Sequence, residues 1–102
     1  MNTIVEREKI LDLVLNSLKV YFEENNEVVD LSEEEQTKLF GGDGVLDSIG
    51  LVSFIVAVEE ALEDEFDISI VLADEKAMSR RTSPFSRVSY LVDYIIEVVK
   101  TN

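Results

Sequence analysis

The chain contains no cysteine and no histidine. Without cysteine there can be no disulfide and no thiolate nucleophile. Without either residue the usual zinc ligands are missing, and no Ser-His or Cys-His pair can activate a nucleophile. Basic residues are also scarce, with nine Lys and Arg against 22 Asp and Glu, for a net charge of −13. Nucleic-acid backbones and anionic membrane faces would be repelled by such a surface, whereas basic protein surfaces would be steered toward it. No apolar run approaches the ~18 residues of a membrane span. The start, Met1 to Glu6, lacks the basic-then-apolar pattern of a secretory signal, so a cytosolic (cytoplasmic) protein is expected. There is no internal repeat and no low-complexity tract.

What is present is a 46% apolar chain of 102 residues, which suits one domain, 1–102, with a single modest core. Apolar residues recur at helical spacing as Ile4, Leu11, Val14, Leu15, Leu18, Tyr21 and Phe22. With Thr3 and Glu6 as a capping box, they predict a first helix over residues 3–24, ended by Asn25-Asn26. A long connection follows, holding a short helix near 33–39 capped by Ser32 and Glu35. Leu31, Leu39, Phe40, Val45 and Leu46 would pin that connection to the body. A second helix should begin at Ser48, with Leu51, Ile55, Val58, Leu62 and Phe66 as its core stripe. Its opposite face would carry Ile49, Gly50, Ser53, Val56, Ala57, Glu60 and Asp64. Ile68 to Val71 reads as an extended linker, and Asp74 to Arg80 as a short helix. The last helix, 87–100, is capped by Ser86 and buries Val88, Leu91, Val92, Ile95, Ile96 and Val99, with Lys100 at its negative end. The expected architecture is all-α: a small bundle of three longer helices and one or two short ones, with a long loop between helices one and two.

One stretch carries chemistry. In Gly42-Asp43-Gly44-Val45-Leu46-Asp47-Ser48-Ile49 a glycine-rich loop delivers a serine to the first turn of a helix. Asp and Ser are favoured there simply as caps, because their oxygens accept free backbone N–H groups. The same position also suits a phosphodiester, since a phosphate on that hydroxyl would meet unpaired donors and the positive helix end. The glycines would leave room for a modifying enzyme to approach.

Asp47-Ser48-Ile49 followed by Val58-Glu59-Glu60 resembles the Asp-Ser-Leu and Leu-Glu-Glu signature of acyl and peptidyl carrier proteins. Phe66-Asp67-Ile68-Ser69-Ile70 resembles the segment after helix two in that family, and Val88 with Val92-Asp93-Tyr94-Ile95 its last helix. The resemblance implies an acyl-carrier-like bundle in which Ser48 carries 4′-phosphopantetheine, added from coenzyme A by a phosphopantetheinyl transferase that recognises Asp47. It further implies that the chain is no enzyme, and that the reactive thiol is the cofactor's. The arm would hold acyl or aminoacyl thioesters for fatty-acid, lipid, polyketide or related assembly. The other partners would be loading and condensing enzymes with basic or apolar docking surfaces, and a monomer is expected.

The chain departs from the family pattern in its second helix, where carboxylates come late. This predicts a partner footprint that is apolar near Ser48 and acidic further along: Ile49, Ser53, Val56, Glu60 and Asp64. Val52, Phe54, Ile55, Met78 and Ile95 would line an acyl pocket, or else form plain core. Arg80, Arg81 and Arg87 either offset nearby carboxylates or contact the phosphate of the arm or an anionic cargo. The alternative reading is an unmodified acidic helical interaction module. A calcium loop is disfavoured, because Asp43-Gly44-Val45-Leu46-Asp47 puts apolar residues where ligands should be.

Overall fold

A computed structural model of the chain describes residues 6–42, 44–72 and 83–101. Three helices dominate it: α1 (Arg7–Glu24), α2 (Ser48–Phe66) and α3 (Val88–Thr101). Among the described residues there is no strand, only an isolated backbone bridge between Lys38 and Arg87. No helix of the described residues is long and apolar enough to cross a membrane.

α1 starts later than its apolar spacing suggested. Glu6 is extended (φ −75°, ψ 133°) and its carbonyl accepts the N–H groups of Lys9 and Ile10. The capping box with Thr3 therefore does not open this helix, and Thr3 and Ile4 lie outside the described residues. The inward face is Ile10, Leu13, Val14, Leu18 and Phe22, with Leu11, Leu15 and Tyr21 half-buried beside it. The helix ends where expected. Asn26 enters the left-handed region (φ 58°), which Asn tolerates, and donates its N–H to the Glu23 carbonyl at 3.1 Å.

α1 packs against both α2 and α3. From α2 it receives Phe54, Ile55, Val58 and Leu62, and α3 adds Val88, Leu91, Val92, Tyr94 and Ile95 to the same core. Each of these large side chains contributes ~1.5–3 kcal/mol when fully buried. Tyr94, absent from the expected stripe, is the bulkiest fully buried residue. α3 begins at Val88, and the Ser86 hydroxyl donates to the Ser83 carbonyl rather than serving the helix.

The long connection holds one 3-10 turn, Glu34–Gln36, instead of a helix over 33–39. The Ser32–Glu35 box does not form. The Ser32 N–H goes to Asp30, holding that carboxyl below the usual range, and the Glu35 carboxylate pairs with Arg7. Arg7 also reaches Asp93 at 3.0 Å, so one guanidinium joins the start of α1, the turn and α3. These hydrogen bonds, first to Glu35 and then to Asp93, raise its pKa further.

Residues 37–46 are tied down by main-chain bonds on two sides. Leu39 donates to the Ser86 carbonyl (2.9 Å) and Val88 to the Thr37 carbonyl (3.0 Å), so an orphan donor of the first turn of α3 is satisfied by the loop. Val45 and Leu46 donate to Lys38 (3.1 Å) and Leu39 (2.8 Å). Leu39 and Leu46 are buried and Leu31 is half-buried, but Phe40 and Val45, expected as pins, face outward. The 68–72 linker alternates, with Ile68 and Ile70 half-buried and Leu72 fully buried. The Leu72 N–H is held at 2.7 Å by the Glu59 carboxylate. The expected short helix at 74–80 lies outside the described residues.

Candidate functional site

α2 starts at Ser48 because Asp47 caps it. Asp47 is extended (φ −88°, ψ −177°), and its Oδ1 accepts the Gly50 N–H at 2.7 Å. Its carbonyl accepts the Leu51 N–H at 2.8 Å, the first bond inside the helix. Capping therefore falls to Asp47 alone. The Ser48 side chain is exposed, with no hydrogen-bond partner among the described residues. The Asp47 carboxylate offsets part of the positive helix end, and the first turn adds no further acidic residue. A hydroxyl in this setting is accessible, and a phosphate esterified to it would lie near the remaining first-turn N–H donors of the helix.

Two glycines make this geometry possible. A Cβ on Gly44 would lie 2.7 Å from the backbone of Leu39 and Phe40, so only glycine lets the loop close on itself just before Asp47. At Gly44 the close approach is to the chain's own backbone, whereas Gly41 and Gly42 border open space. Gly50, placed on the exposed face by the helical wheel, is buried: a Cβ there would meet the Tyr21 hydroxyl at 2.9 Å and Asp47 Oδ1 at 3.0 Å. The Tyr21 ring, set edge-on to Phe22, thus closes over the start of α2. Beside this contact runs a groove of about 280 Å³, lined by residues including Asn25, Val45, Asp47 and Ile49.

The predicted partner residues Ile49, Ser53, Val56, Glu60 and Asp64 are all exposed. Their spacing of three and four places them on one face of α2 running away from Ser48. Val52 belongs with them. It is 65% exposed and Ile49 81%, so Val52 lies on the surface and cannot line an interior acyl pocket. Phe54, Ile55 and Ile95, the other described members of that pocket, are packed in the core, while Met78 lies outside the described residues. Phe54 is buried in place of Val52 because α2 presents its Gly50–Phe54 edge to α1 and the loop. The sequence contained no signal for Tyr21 above Gly50. Val52 was legible as the position three residues after Ile49.

Comparison with known proteins does not decide the matter. No family model, no curated protein and no solved structure matches this chain. Among the described residues no three carboxylates are grouped to hold a metal ion. Site chemistry therefore rests on the residues themselves.

Proposed function

We propose that this protein is a carrier: Ser48 bears a 4′-phosphopantetheine arm, and the chain presents thioester-linked acyl or aminoacyl groups to other enzymes without catalysing a reaction. One observation carries the reading. Asp47 takes the capping role, which leaves the Ser48 hydroxyl exposed and without a partner among the described residues at the start of α2. When bound, the group supplies the thiol that forms the thioester; the chain supplies the attachment point and the surface around it. The helix end favours the phosphodiester, and the exposed Asp47 carboxylate beside it is available to a transferase's basic groups or metal. The three-helix core, with its last helix docked beside the loop, is compatible with an acyl-carrier-like bundle.

The outer face of α2 supports the partner reading. Ile49, Val52 and Val56 offer a small apolar patch next to Ser48, and Glu60 and Asp64 extend it with negative charge. Enzymes with an apolar contact flanked by basic residues fit this order. The same exposed patch also suits an unmodified interaction module, which is the competing reading.

The two readings separate on one experiment. The protein is incubated with coenzyme A and a broad-specificity phosphopantetheinyl transferase, then weighed by mass spectrometry. A gain of one phosphopantetheinyl group, absent in Ser48→Ala, is expected. If several competent transferases all leave folded protein unmodified, the carrier reading is wrong and the interaction module stands.

A further inference from the structure

Arg87 is held by neutral partners. Arg7, its counterpart on α1, is held by two carboxylates. Among the described residues Arg87 has no carboxylate within ion-pair distance; its guanidinium donates to the Gln36 side-chain oxygen at 2.9 Å and lies 5.5 Å over the Tyr90 ring. Gln36 and Tyr90 hold the planar fork in place through one edge and one face. Donors then remain on the guanidinium in the geometry that receives a carboxylate bidentately.

This fork opens onto a groove of about 250 Å³ formed by Lys38, Phe40, Gly41, Gly42, Arg87 and Tyr90, with Ser86 alongside. Among the described residues, no carboxylate lines it. Three other grooves formed by described residues each carry two: Asp30 with Glu33, Glu27 with Asp47, and Asp12 with Glu65. The Phe40 and Tyr90 side chains, both exposed, supply flat apolar walls. A Cβ built on Gly41 or Gly42 would meet nothing within 4 Å, so that rim is open. The geometry points to a binding site for a small organic carboxylate with a flat, aromatic or unsaturated body, its carboxylate on Arg87 and its body along Tyr90 and Phe40. A guanidinium stacked on the Tyr90 ring, with the Phe40 ring in the same groove, suits a carboxylate with an apolar body better than bare phosphate.

The groove lies close to Ser48. Leu46 is backbone-bonded to Leu39, which adjoins both Lys38 and Phe40. Counting residue steps across that pair, the Ser48 Cα stands within about 17 Å of the Phe40 Cα. Such a ligand has two sources: a free acid, or, on the carrier reading above, the group at the end of the Ser48 arm.

The test is a titration of the full-length, unmodified protein, followed through its backbone amide NMR signals. Sodium benzoate is the probe; benzamide, acetate and inorganic phosphate are the comparisons. Saturable shifts at Gly41, Gly42, Arg87 and Tyr90 are expected with benzoate, at about tenfold lower concentration than with the others. Arg87→Gln, and Arg87→Lys which keeps the charge and loses the fork, should each weaken benzoate about tenfold. Benzamide, acetate or phosphate binding as well as benzoate would overturn the assignment, as would unaltered binding by a folded Arg87→Gln. Should that variant not fold, Gln36→Leu and Tyr90→Leu decide instead, each expected to weaken benzoate several-fold.

A second arm separates the sources. Ser48 is loaded from 4-carboxybenzoyl- or benzoyl-coenzyme A, and the same amides should shift only with the carboxylated cargo. Shifts with free benzoate alone assign the groove to free acids. If Ser48 accepts neither arm, the carrier reading fails while the titration still judges the groove.

Discussion

A single methyl group at Gly44 should undo the loop that presents Ser48. The added carbon would lie 2.7 Å from the Leu39 carbonyl carbon, the Leu39 oxygen and the Phe40 Cα. Carbon atoms in contact normally stand ~3.5–4.0 Å apart, and these three are backbone atoms that no rotamer change can move. Relief requires the two sides of the loop to separate. That strains the bonds from Leu46 to Leu39 (2.8 Å) and Val45 to Lys38 (3.1 Å) and loosens two buried leucines. At about 0.5–1.5 kcal/mol net per hydrogen bond, plus partial exposure of the leucines, Gly44→Ala should cost about 2–4 kcal/mol. For a domain of this size, one kcal/mol moves the melting temperature by about 5 °C, so a fall of roughly 10–20 °C is expected. Gly42→Ala is the control. Its Cβ would meet nothing within 4 Å and its backbone is outside the left-handed region, so stability should hold or rise slightly, by at most about 1 kcal/mol. Calorimetry supplies the melting temperatures, and amide exchange at Val45 and Leu46 shows whether the opening is local. Gly44→Ala melting within 2–3 °C or so of Gly42→Ala would refute the steric argument.

Other changes probe separate contacts. Thr37 is buried and its Oγ1 has no hydrogen-bond partner among the described residues, so Thr37→Val should stabilise the protein by about 1 kcal/mol in chemical denaturation. Glu59→Ala strands the buried Leu72 N–H and should cost about 1–3 kcal/mol with faster exchange at Leu72, whereas Glu59→Gln keeps an acceptor and should cost less. Arg7→Gln removes the link to Glu35 and Asp93; because these groups are partly exposed, the loss should be only about 1 kcal/mol and should shrink in high salt. Charge reversal at Glu60 and Asp64 should slow association with a basic partner enzyme more at low salt than at high salt; stopped-flow rates that fall equally in both would remove the steering role.

The last helix and the start of the second were readable from residue order alone. Val88, Leu91, Val92 and Ile95 repeat on one side of a helix, and all are buried. Asp47 before Ser48 is a strong cap signal, and α2 begins at that serine. Other local signals were outcompeted. The Ser32–Glu35 box was lost because Arg7, distant in sequence, offered the Glu35 carboxylate a charged partner. Phe40 and Val45 face out because the loop's backbone bonds, not its hydrophobicity, set which side chains turn inward.

Composition and periodicity by themselves determined an all-helical chain, the three helices that dominate it, and the exposed serine behind an aspartate cap. They also set the main orientation of α2: Ile55, Val58 and Leu62 of the expected stripe are buried, and Ile49, Ser53, Val56, Glu60 and Asp64 are exposed. From Ile49 to Val58 most residues are apolar, so the edges of that stripe are not marked by the pattern. Only the packed structure fixed those edges. Tyr21 and Asp47 leave no room for a side chain at residue 50, so Gly50 must turn inward, carrying Phe54 into the core and Val52 out beside Ile49. The groove at Arg87 has the same origin: a loop and a helix far apart in the chain meet through backbone bonds, and no local pattern records that meeting.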